Sequence, residues 1–303
     1  MPLTIQPISR RGFCRTVLGG VAAAAFSGIP RNARAEDTGR DHWVFLSDTH
    51  IPDDPGKNWW GTEYNPCKNF ADACEAVLKL AHKPKGVIVT GDLTYVYGTP
   101  EDYRVAVKQV APYIENGIPV HVCLGNHDRL GNFHAAFPDM KNAAPPVADK
   151  HIAVLETPNA NLFLLDSLYQ DGSVSGFLGV EQLRWLKKAL DARKDKPALL
   201  FAHHNLDNAE GTLMDREEFW SVVKRASQVK AYIYGHTHVY RQGVRDNVHL
   251  INIQALGWVD GAEEPVGWSD VEISGKGIQL TLHTVPASNP SKDGDVRTFE
   301  WMR

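Results

Sequence analysis

Five short polar clusters lie along the chain, and each one directly follows an apolar run. In order, they are Asp48-Thr49-His50, Gly91-Asp92, Gly125-Asn126-His127-Asp128, His203-His204 and Gly235-His236-Thr237-His238. They offer carboxylate oxygens, imidazole nitrogens and one amide oxygen, with no thiolate. This mixture suits iron, manganese or zinc, whereas the imidazoles argue against magnesium or calcium. The clusters therefore predict a metal centre.

The spacing within the clusters allows two neighbouring ions. Side chains two positions apart in an extended segment lie on the same side, so His236 and His238 can reach two ions, and Asp48 can act together with His50. The two oxygens of Asp92 can bridge ions that are about 3.5–4 Å apart. Two divalent ions bring more positive charge than two carboxylates return, and the surplus attracts phosphate oxygens. The pattern predicts transfer of a phosphoryl group to water.

Alternating strands and helices are expected to hold these clusters. Apolar runs predict strands at 43–46, 86–90, 119–124, 151–155, 161–165, 198–202, 229–234, 248–253, 269–273 and 277–285. Amphipathic segments predict helices at 70–82, 100–116, 180–193 and 215–226. This order predicts an α/β fold with partly parallel sheets. Ligands of such sheets gather at the carboxyl ends of strands, so the five clusters can converge on one crevice.

The ordered set resembles the calcineurin-like metallophosphoesterase superfamily, whose pattern is D-x-H, G-D, G-N-H-D/E, H and G-H-x-H. The resemblance implies a four-layer α/β/β/α sandwich of two mixed sheets, and hydrolysis of phosphate esters by a metal-bound hydroxide. It implies that two divalent or trivalent ions (iron, manganese or zinc) are bound, the first by Asp48, His50, Asp92 and His238, the second by Asp92, Asn126, His203 and His236. His127 would act on the leaving group, and Asp128 would orient or support that histidine.

Within this superfamily, the chain looks most like the class III cyclic-nucleotide and glycerophosphodiester phosphodiesterases. The likeness rests on the strict Asp48-x-His50, on the run of Gly-Asn-His-Asp into Arg129, and on the segment 176–190. Small phosphodiesters are therefore the expected substrates. A broad-specificity phosphomonoesterase and a non-catalytic interaction scaffold stay open as alternatives. Relatives often have His-His-Pro-Pro where this chain has His203-His204-Asn205-Leu206, which leaves substrate preference open.

Several residues near the clusters are candidates for substrate contact. Trp59 and Trp60 follow His50 and could stack on a base or an aromatic leaving group, although they could also cap the core or form an oligomer contact. Arg129 and His204 are further candidates. Tyr95 matches the D-x-x-Y spacing of purple acid phosphatases, in which the tyrosine binds ferric iron. Since His50 would compete for that position, packing or substrate contact is the expected role of Tyr95. His134 is one further histidine to test as a pocket residue.

The first 35 residues are expected to be an export signal rather than part of the fold. Arg10 and Arg11 form a twin-arginine pattern, the apolar run 16–29 follows, and Ala33-Arg34-Ala35 offers a cleavage site. A basic amphipathic helix or a membrane anchor is the alternative. We expect a signal peptide at 1–35, one domain at 36–303, recognition by the twin-arginine machinery, and a periplasmic or extracellular protein without a permanent membrane span. The net charge of −4 disfavours long nucleic acids as partners.

Overall fold

The structure is a computed structural model, and it describes residues 39–207, 209, 211–261 and 263–302. The predicted signal peptide lies outside these residues. The strands are β1 Asp41–Leu46, β2 Val87–Val89, β3 Val120–Val122, β4 Ala153–Glu156, β5 Asn161–Leu164, β6 Ala198–Phe201, β7 Val229–Tyr234, β8 Arg241–Arg245, β9 Val248–Asn252, β10 Gly267–Ser274, β11 Gly277–Thr284 and β12 Val296–Glu300. The α-helices are α1 Pro66–Leu78, α2 Pro100–Glu115, α3 Leu130–Ala136, α4 Val180–Asp191 and α5 Arg216–Val223. Within the described ranges, the structure has no helix with the length and apolar character needed to cross a membrane.

The strands form two sheets of six strands each. The first has the order β12-β11-β10-β1-β2-β3, and the second has the order β4-β5-β6-β7-β9-β8. In the first sheet β1, β2 and β3 are parallel, whereas β10, β11 and β12 are antiparallel to their neighbours. In the second sheet β5, β6, β7 and β9 are parallel, and antiparallel strands lie at both edges. Both sheets are therefore mixed, as the sequence predicts.

Alternating side chains of the strands build a layered core. In β1, Val44 and Leu46 pack in an apolar cluster shared with α1 and α2, whereas Trp43 and Phe45 face the second sheet. The Phe45 ring meets Phe201 of β6 edge-on, with the ring centroids 5.1 Å apart. Both faces of the central strands are covered, which explains why these strands are continuous apolar runs rather than alternating ones.

A third apolar cluster lies between the second sheet and helices α4 and α5, and it includes Leu186 and Trp220. Helices thus cover the outer face of each sheet, and the two inner faces pack on each other. The four-layer α/β/β/α sandwich expected from the sequence is confirmed.

Local capping signals set the helix ends. Helix α1 begins at Pro66, four residues before the predicted start, because Asn65 caps it by accepting a hydrogen bond from the backbone N–H of Lys68 (2.7 Å). Thr99 and Asp102 form a reciprocal capping box that starts α2 where the sequence predicts it. The sequence did not predict α3, β8 or β12. Helix α3 is short, and β8 and β12 are largely exposed edge strands without a buried apolar run.

Candidate metal centre

The five polar clusters follow β1, β2, β3, β6 and β7, which run parallel within their own sheets. Their carboxyl ends therefore lie at the same edge. Backbone hydrogen bonds join neighbouring loops within each sheet, and a contact from a backbone N–H to a side chain links the two sheets. Asp48 N–H donates to Gly91 O (3.0 Å), and Gly235 N–H donates to His203 O (3.1 Å). His236 N–H donates to both carboxylate oxygens of Asp48, each at 3.1 Å. The predicted convergence of the clusters is confirmed.

Four imidazoles are oriented by backbone carbonyl groups. In each, Nδ1 lies at hydrogen-bond distance from a carbonyl oxygen, the pairs being His50 with Tyr95 (3.1 Å), His127 with Val96 (2.9 Å), His203 with Thr90 (3.1 Å) and His238 with Trp258 (2.8 Å). A carbonyl oxygen can only accept, so Nδ1 carries the hydrogen in all four rings. The Nε2 atom is then free to take a proton or to bind a metal ion. Fixing the far nitrogen in this way is typical of metal-binding histidines.

One group of candidate ligands consists of Asp48, His50 and His238. The two Nε2 atoms of the histidines are 3.1 Å apart, and His238 Nε2 lies 3.3 Å from Asp48 Oδ1. All three side chains are buried. Three acceptor atoms that face one point away from solvent require a positive charge there. A metal ion fits this arrangement.

A second group consists of Asp92, His203 and His236, with Asn126 beside them. His203 Nε2 lies 3.1 Å from Asp92 Oδ2, 3.2 Å from Asn126 Oδ1 and 3.2 Å from His236 Nδ1. Asp92 Oδ2 also lies 3.9 Å from His50 Nε2, a member of the first group. Asp92 is therefore the carboxylate that both groups can share. The structure brings all seven predicted metal ligands together.

The protonation states also fit cation binding. Burial by itself would raise the pKa of Asp48, but the charges of His238 and His203 hold it below its usual range. Burial would likewise raise the pKa of Asp92, which His203 holds well below its usual range. Burial lowers the pKa of His50 to about 3, so this ring is neutral. Although burial opposes it, Asp92 raises the pKa of His203 to about 9, so a proton and a metal ion compete for the same nitrogen.

Polar groups behind the carboxylates hold them in place. Thr90 Oγ1 donates to Ser47 Oγ (2.7 Å), and Ser47 Oγ donates to Asp48 Oδ2. The N–H of His127 donates to Asp92 Oδ1 (2.9 Å). Ser47 is not among the residues predicted from the sequence. A small polar residue at the end of an apolar strand, directly before a ligand motif, is the signal that could have identified it.

The loops adopt backbone conformations that are rare for residues with a side chain. Five candidate ligands have positive φ angles: Asp48 (49°), His50 (47°), Asp92 (51°), His236 (70°) and His238 (54°). Such strain is found at functional sites, where the surrounding structure fixes it. Close packing also explains two motif glycines. A Cβ atom on Gly91, whose φ is 119°, would overlap the ring of His203, and one on Gly235 would overlap Ser47 and Asp48.

His127 lies at the edge of the centre and is the more exposed of the two predicted catalytic residues. Its Nε2 is 3.8 Å from Asp92 Oδ2, and about a quarter of the side chain (26%) is exposed. Asp128 does not contact the His127 ring, because the Val96 carbonyl occupies Nδ1. Of the two expected roles of Asp128, to orient or to support His127, this contact favours support, and the role stays a prediction. The buried Asp128 carboxylate instead joins two loops by accepting hydrogen bonds from the backbone N–H groups of Leu93, Thr94 and Gly125 and from the hydroxyls of Thr94 and Tyr103.

Two predicted substrate contacts have their polar atoms engaged by protein groups. His204 is fully buried, with Nε2 donating to Val174 O (3.1 Å) and Nδ1 accepting from Ser167 Oγ (2.8 Å). Its ring packs beside His236, with the centroids 4.7 Å apart. These contacts favour a positioning role for His204, and its contact with substrate stays a prediction.

Arg129 is likewise held by protein groups. Its guanidinium donates to the carbonyl oxygens of Asn126 (3.1 Å) and Asp128 (2.7 Å), and its Nε is 2.9 Å from Asp171 Oδ1. The predicted contact of Arg129 with substrate also stays a prediction.

An aromatic cluster covers the first group of ligands. Trp59 stacks on Trp258 with the ring centroids 4.2 Å apart, and Trp258 contacts His238 at 4.4 Å. Trp60 is mostly exposed (63%) and lies 5.7 Å from the ring of Tyr95. Trp258 is not among the residues predicted from the sequence. It lies far along the chain, between two strands, and no motif marks it.

Two further residues singled out from the sequence lie outside the ligand groups. Tyr95 packs its ring against Trp59 (4.9 Å), and its carbonyl oxygen binds His50, so packing is its observed role. His134 pairs with His151, with Nε2 and Nδ1 3.3 Å apart, and lines a separate cavity of about 630 Å³.

Comparisons with known proteins agree with this geometry. A family model described as calcineurin-like phosphoesterase matches residues 43–240. A protein of Arcobacter nitrofigilis named probable glycerophosphodiester phosphodiesterase is 30% identical over 207 residues, which cover 64% of this chain and 71% of the relative. A 3',5'-cyclic-nucleotide phosphodiesterase of Nostoc is 29% identical over 172 residues, which cover 54% of this chain and 60% of the relative.

Solved structures share the fold. A dimetal phosphatase from Danio rerio superposes with a TM-score of 0.67 at 14% sequence identity, over 86% of this chain and 99% of that one. The family match spans most of the chain and includes all five clusters. The chain belongs to the calcineurin-like phosphoesterase family and is a metal-dependent hydrolase of phosphoric esters.

Proposed function

We propose that the protein hydrolyses small phosphodiesters with the help of two metal ions. The first ion would be held by Asp48, His50, Asp92 and His238, and the second by Asp92, Asn126, His203 and His236. The observation that carries this proposal is the position of Asp92. Its carboxylate lies beside both groups of converging acceptor atoms, 3.1 Å from His203 Nε2 and 3.9 Å from His50 Nε2. Imidazole and carboxylate donors in this ratio suit iron, manganese or zinc.

Bound ions would supply positive charge for the phosphate oxygens and would lower the pKa of water. The protein's own side chains would orient the ligands and donate one proton to the departing alcohol. His127 keeps its Nδ1 hydrogen on the Val96 carbonyl, so Nε2 is the atom that can give a proton to the departing alcohol. That nitrogen lies at the edge of the centre, 3.8 Å from Asp92 Oδ2. The buried Asp128 would keep the two loops that carry Asp92 and His127 in register.

A diester suits the site better than a monoester, because a monoester dianion needs additional cations. Arg129, the basic residue beside the ligand clusters, already binds two carbonyl oxygens and Asp171. Lys150, in the cavity next to it, donates to three carbonyl oxygens. Neither Arg129 nor Lys150 can bind an additional phosphate oxygen without breaking these contacts. The phosphodiesterase names of two relatives support the same preference.

The test compares bis(p-nitrophenyl) phosphate with p-nitrophenyl phosphate after loading with manganese, zinc or iron. The leaving groups are identical, so the ratio of kcat/KM reports how the second ester is recognised. We expect the diester to have the higher value. A higher value for the monoester would replace the proposal with a broad-specificity phosphomonoesterase. Two bound ions without any hydrolysis of either compound would favour an interaction scaffold.

We also propose that residues 1–35 direct export through the twin-arginine machinery, so that the domain 36–303 acts in the periplasm or outside the cell. The support is the sequence pattern around Arg10 and Arg11. Replacing both arginines with lysine should keep the protein in the cytoplasmic fraction of an expressing cell. Export of this variant at the normal level would refute the proposal.

A further inference from the structure

A cavity of about 520 Å³ lies next to the loops that carry Val96 and His127, and neither His127 nor any candidate metal ligand lines it. Two of its lining residues, Tyr97 and Arg129, connect it to the centre. Tyr97 follows Val96, whose carbonyl holds His127, and Arg129 donates to the carbonyl of Asn126. The cavity is the neighbouring space into which a substituent on the departing alcohol would extend. Its volume is sufficient for a small polar alcohol.

The groups that this cavity offers to a ligand are aromatic and anionic. Tyr97 and Tyr169 are large exposed side chains at its lining, with 68% and 46% of their surface accessible. Asp149 is exposed, and the side chain of Asp171 is 81% accessible. Tyrosine rings attract ammonium cations through their electron-rich faces, and carboxylates attract them by charge.

The cations of the cavity are, in contrast, turned away from a ligand. Lys150 is 15% exposed, and its ammonium group donates to the carbonyls of Asp166, Leu168 and Phe177 at 3.2, 2.6 and 2.9 Å. Arg129 is 13% exposed and is held by Asp171 and by backbone carbonyls. An anionic substituent would thus meet exposed carboxylates and no available cation among the described residues of the cavity.

We propose that this cavity is a subsite for an ammonium-bearing alcohol, so that the preferred substrates are phosphodiesters of amino alcohols such as choline. The inference rests on the proposed diesterase function. It adds a second recognition element, made of Tyr97, Tyr169 and Asp149, to a centre that by itself recognises only the phosphate. Because the aromatic faces bind best to a cation with little water around it, a quaternary ammonium should be favoured.

The experiment uses two diesters that share a methyl ester, methyl choline phosphate and methyl 3,3-dimethylbutyl phosphate. Their second alcohols have the same shape, but only choline is charged. Phosphorus NMR of the metal-loaded enzyme follows the cleavage of each. We expect kcat/KM to be roughly tenfold higher for the choline ester, and the advantage to shrink at high salt.

Substitutions test which residues cause the preference for the choline ester. Asp149→Asn, and separately Tyr97→Leu combined with Tyr169→Leu, should bring the ratio of kcat/KM for the two esters close to one, chiefly by lowering the value for the choline ester. Asp195→Asn, at an exposed aspartate outside the cavity, should keep the full ratio. If the tyrosine variant fails to fold, Asp149→Asn at the surface still decides the matter.

The outcomes separate the two proposals. If the wild-type enzyme cleaves neither ester with metal bound, the diesterase function fails. If it cleaves both at equal rates, the function stands and the ammonium subsite is overturned. If the choline preference persists in both variants, recognition occurs elsewhere and this cavity is not the subsite.

Discussion

The two groups of candidate ligands have the same task but different surroundings. Around the group of Asp48, His50 and His238, which we term the aromatic side, the two imidazoles are covered by stacked indole rings, above all Trp59 on Trp258 (4.2 Å), while Asp48 is held by Ser47. Around the group of Asp92, Asn126, His203 and His236, which we term the hydrogen-bonded side, the outer contacts are the Ser167 hydroxyl and the Val174 carbonyl, both bound by the buried His204.

This difference predicts how a side-chain substitution on each side should affect metal binding. Stacked rings lose contact area when one is shortened, and no polar group is left without a partner. In a buried hydrogen-bonded chain, the loss of one member leaves donors or acceptors unsatisfied, which costs about 1–3 kcal/mol for each neutral group. We therefore expect substitutions on the hydrogen-bonded side to disturb metal binding more than substitutions of comparable size on the aromatic side.

The largest effect is expected at Asp92, because its carboxylate lies beside ligands of both sides, His203 and His50. Asp92→Ala should lose both ions and all measurable hydrolysis. Removing the shared carboxylate leaves two clusters of imidazoles with too little negative charge to hold adjacent cations. Elemental analysis of the purified variant measures the ions, and circular dichroism verifies the fold. Two ions still bound per chain would show that Asp92 does not bridge them.

The next largest effect is expected at His127, which faces Asp92 from outside both sides. His127→Ala should keep two ions and lose about 10²–10⁴ in kcat, the range for removal of a general acid. A substrate with a good leaving group should lose less than an alkyl ester, because its alkoxide needs no proton. Loss of an ion from this variant would instead place His127 among the ligands, a role that its proximity to His50 and Asp92 allows.

A smaller effect, confined to one ion, is expected on the hydrogen-bonded side. His204→Ala should weaken binding of the second ion about 10–100-fold, the usual cost of losing a residue that positions ligands. Ser167→Ala should shift the affinity in the same direction by less, because His204 keeps its bond to Val174. Competition with a chelator measures both affinities. Equal weakening of both ions would argue that His204 acts on the whole fold and not on this side.

The smallest effect is expected on the aromatic side. Trp258→Leu should keep both ions and lower the free energy of unfolding by about 1 kcal/mol through the lost stacking on Trp59. Both variants keep the backbone carbonyl that holds His238, but Trp258→Phe also retains an aromatic ring, so it should lie closer to the wild type. Urea unfolding with parallel metal analysis provides the measurement. If Trp258→Leu released an ion while His204→Ala did not, the contrast between the two sides would be reversed.

Much of the fold and of the centre follows from the sequence because the relevant information is local. Continuous apolar runs such as 198–202 have to become strands buried on both faces, and the clusters after them reach one edge because parallel strands share their direction. The structure confirms this convergence. The missed strand β12 lies at a sheet edge, where pairing with β11 rather than apolar burial keeps it in place.

Only the tertiary structure decided how the ligands are supported. The carbonyl of Trp258 reaches His238 because the loop after β9 returns to the centre, and Val96 rather than Asp128 holds His127 because the loop after β2 passes over that ring. Such contacts use backbone atoms, which every residue has, so no pattern of side chains marks them in the sequence. The residue types determined which chemistry is available, and the path of the loops determined which atoms direct it.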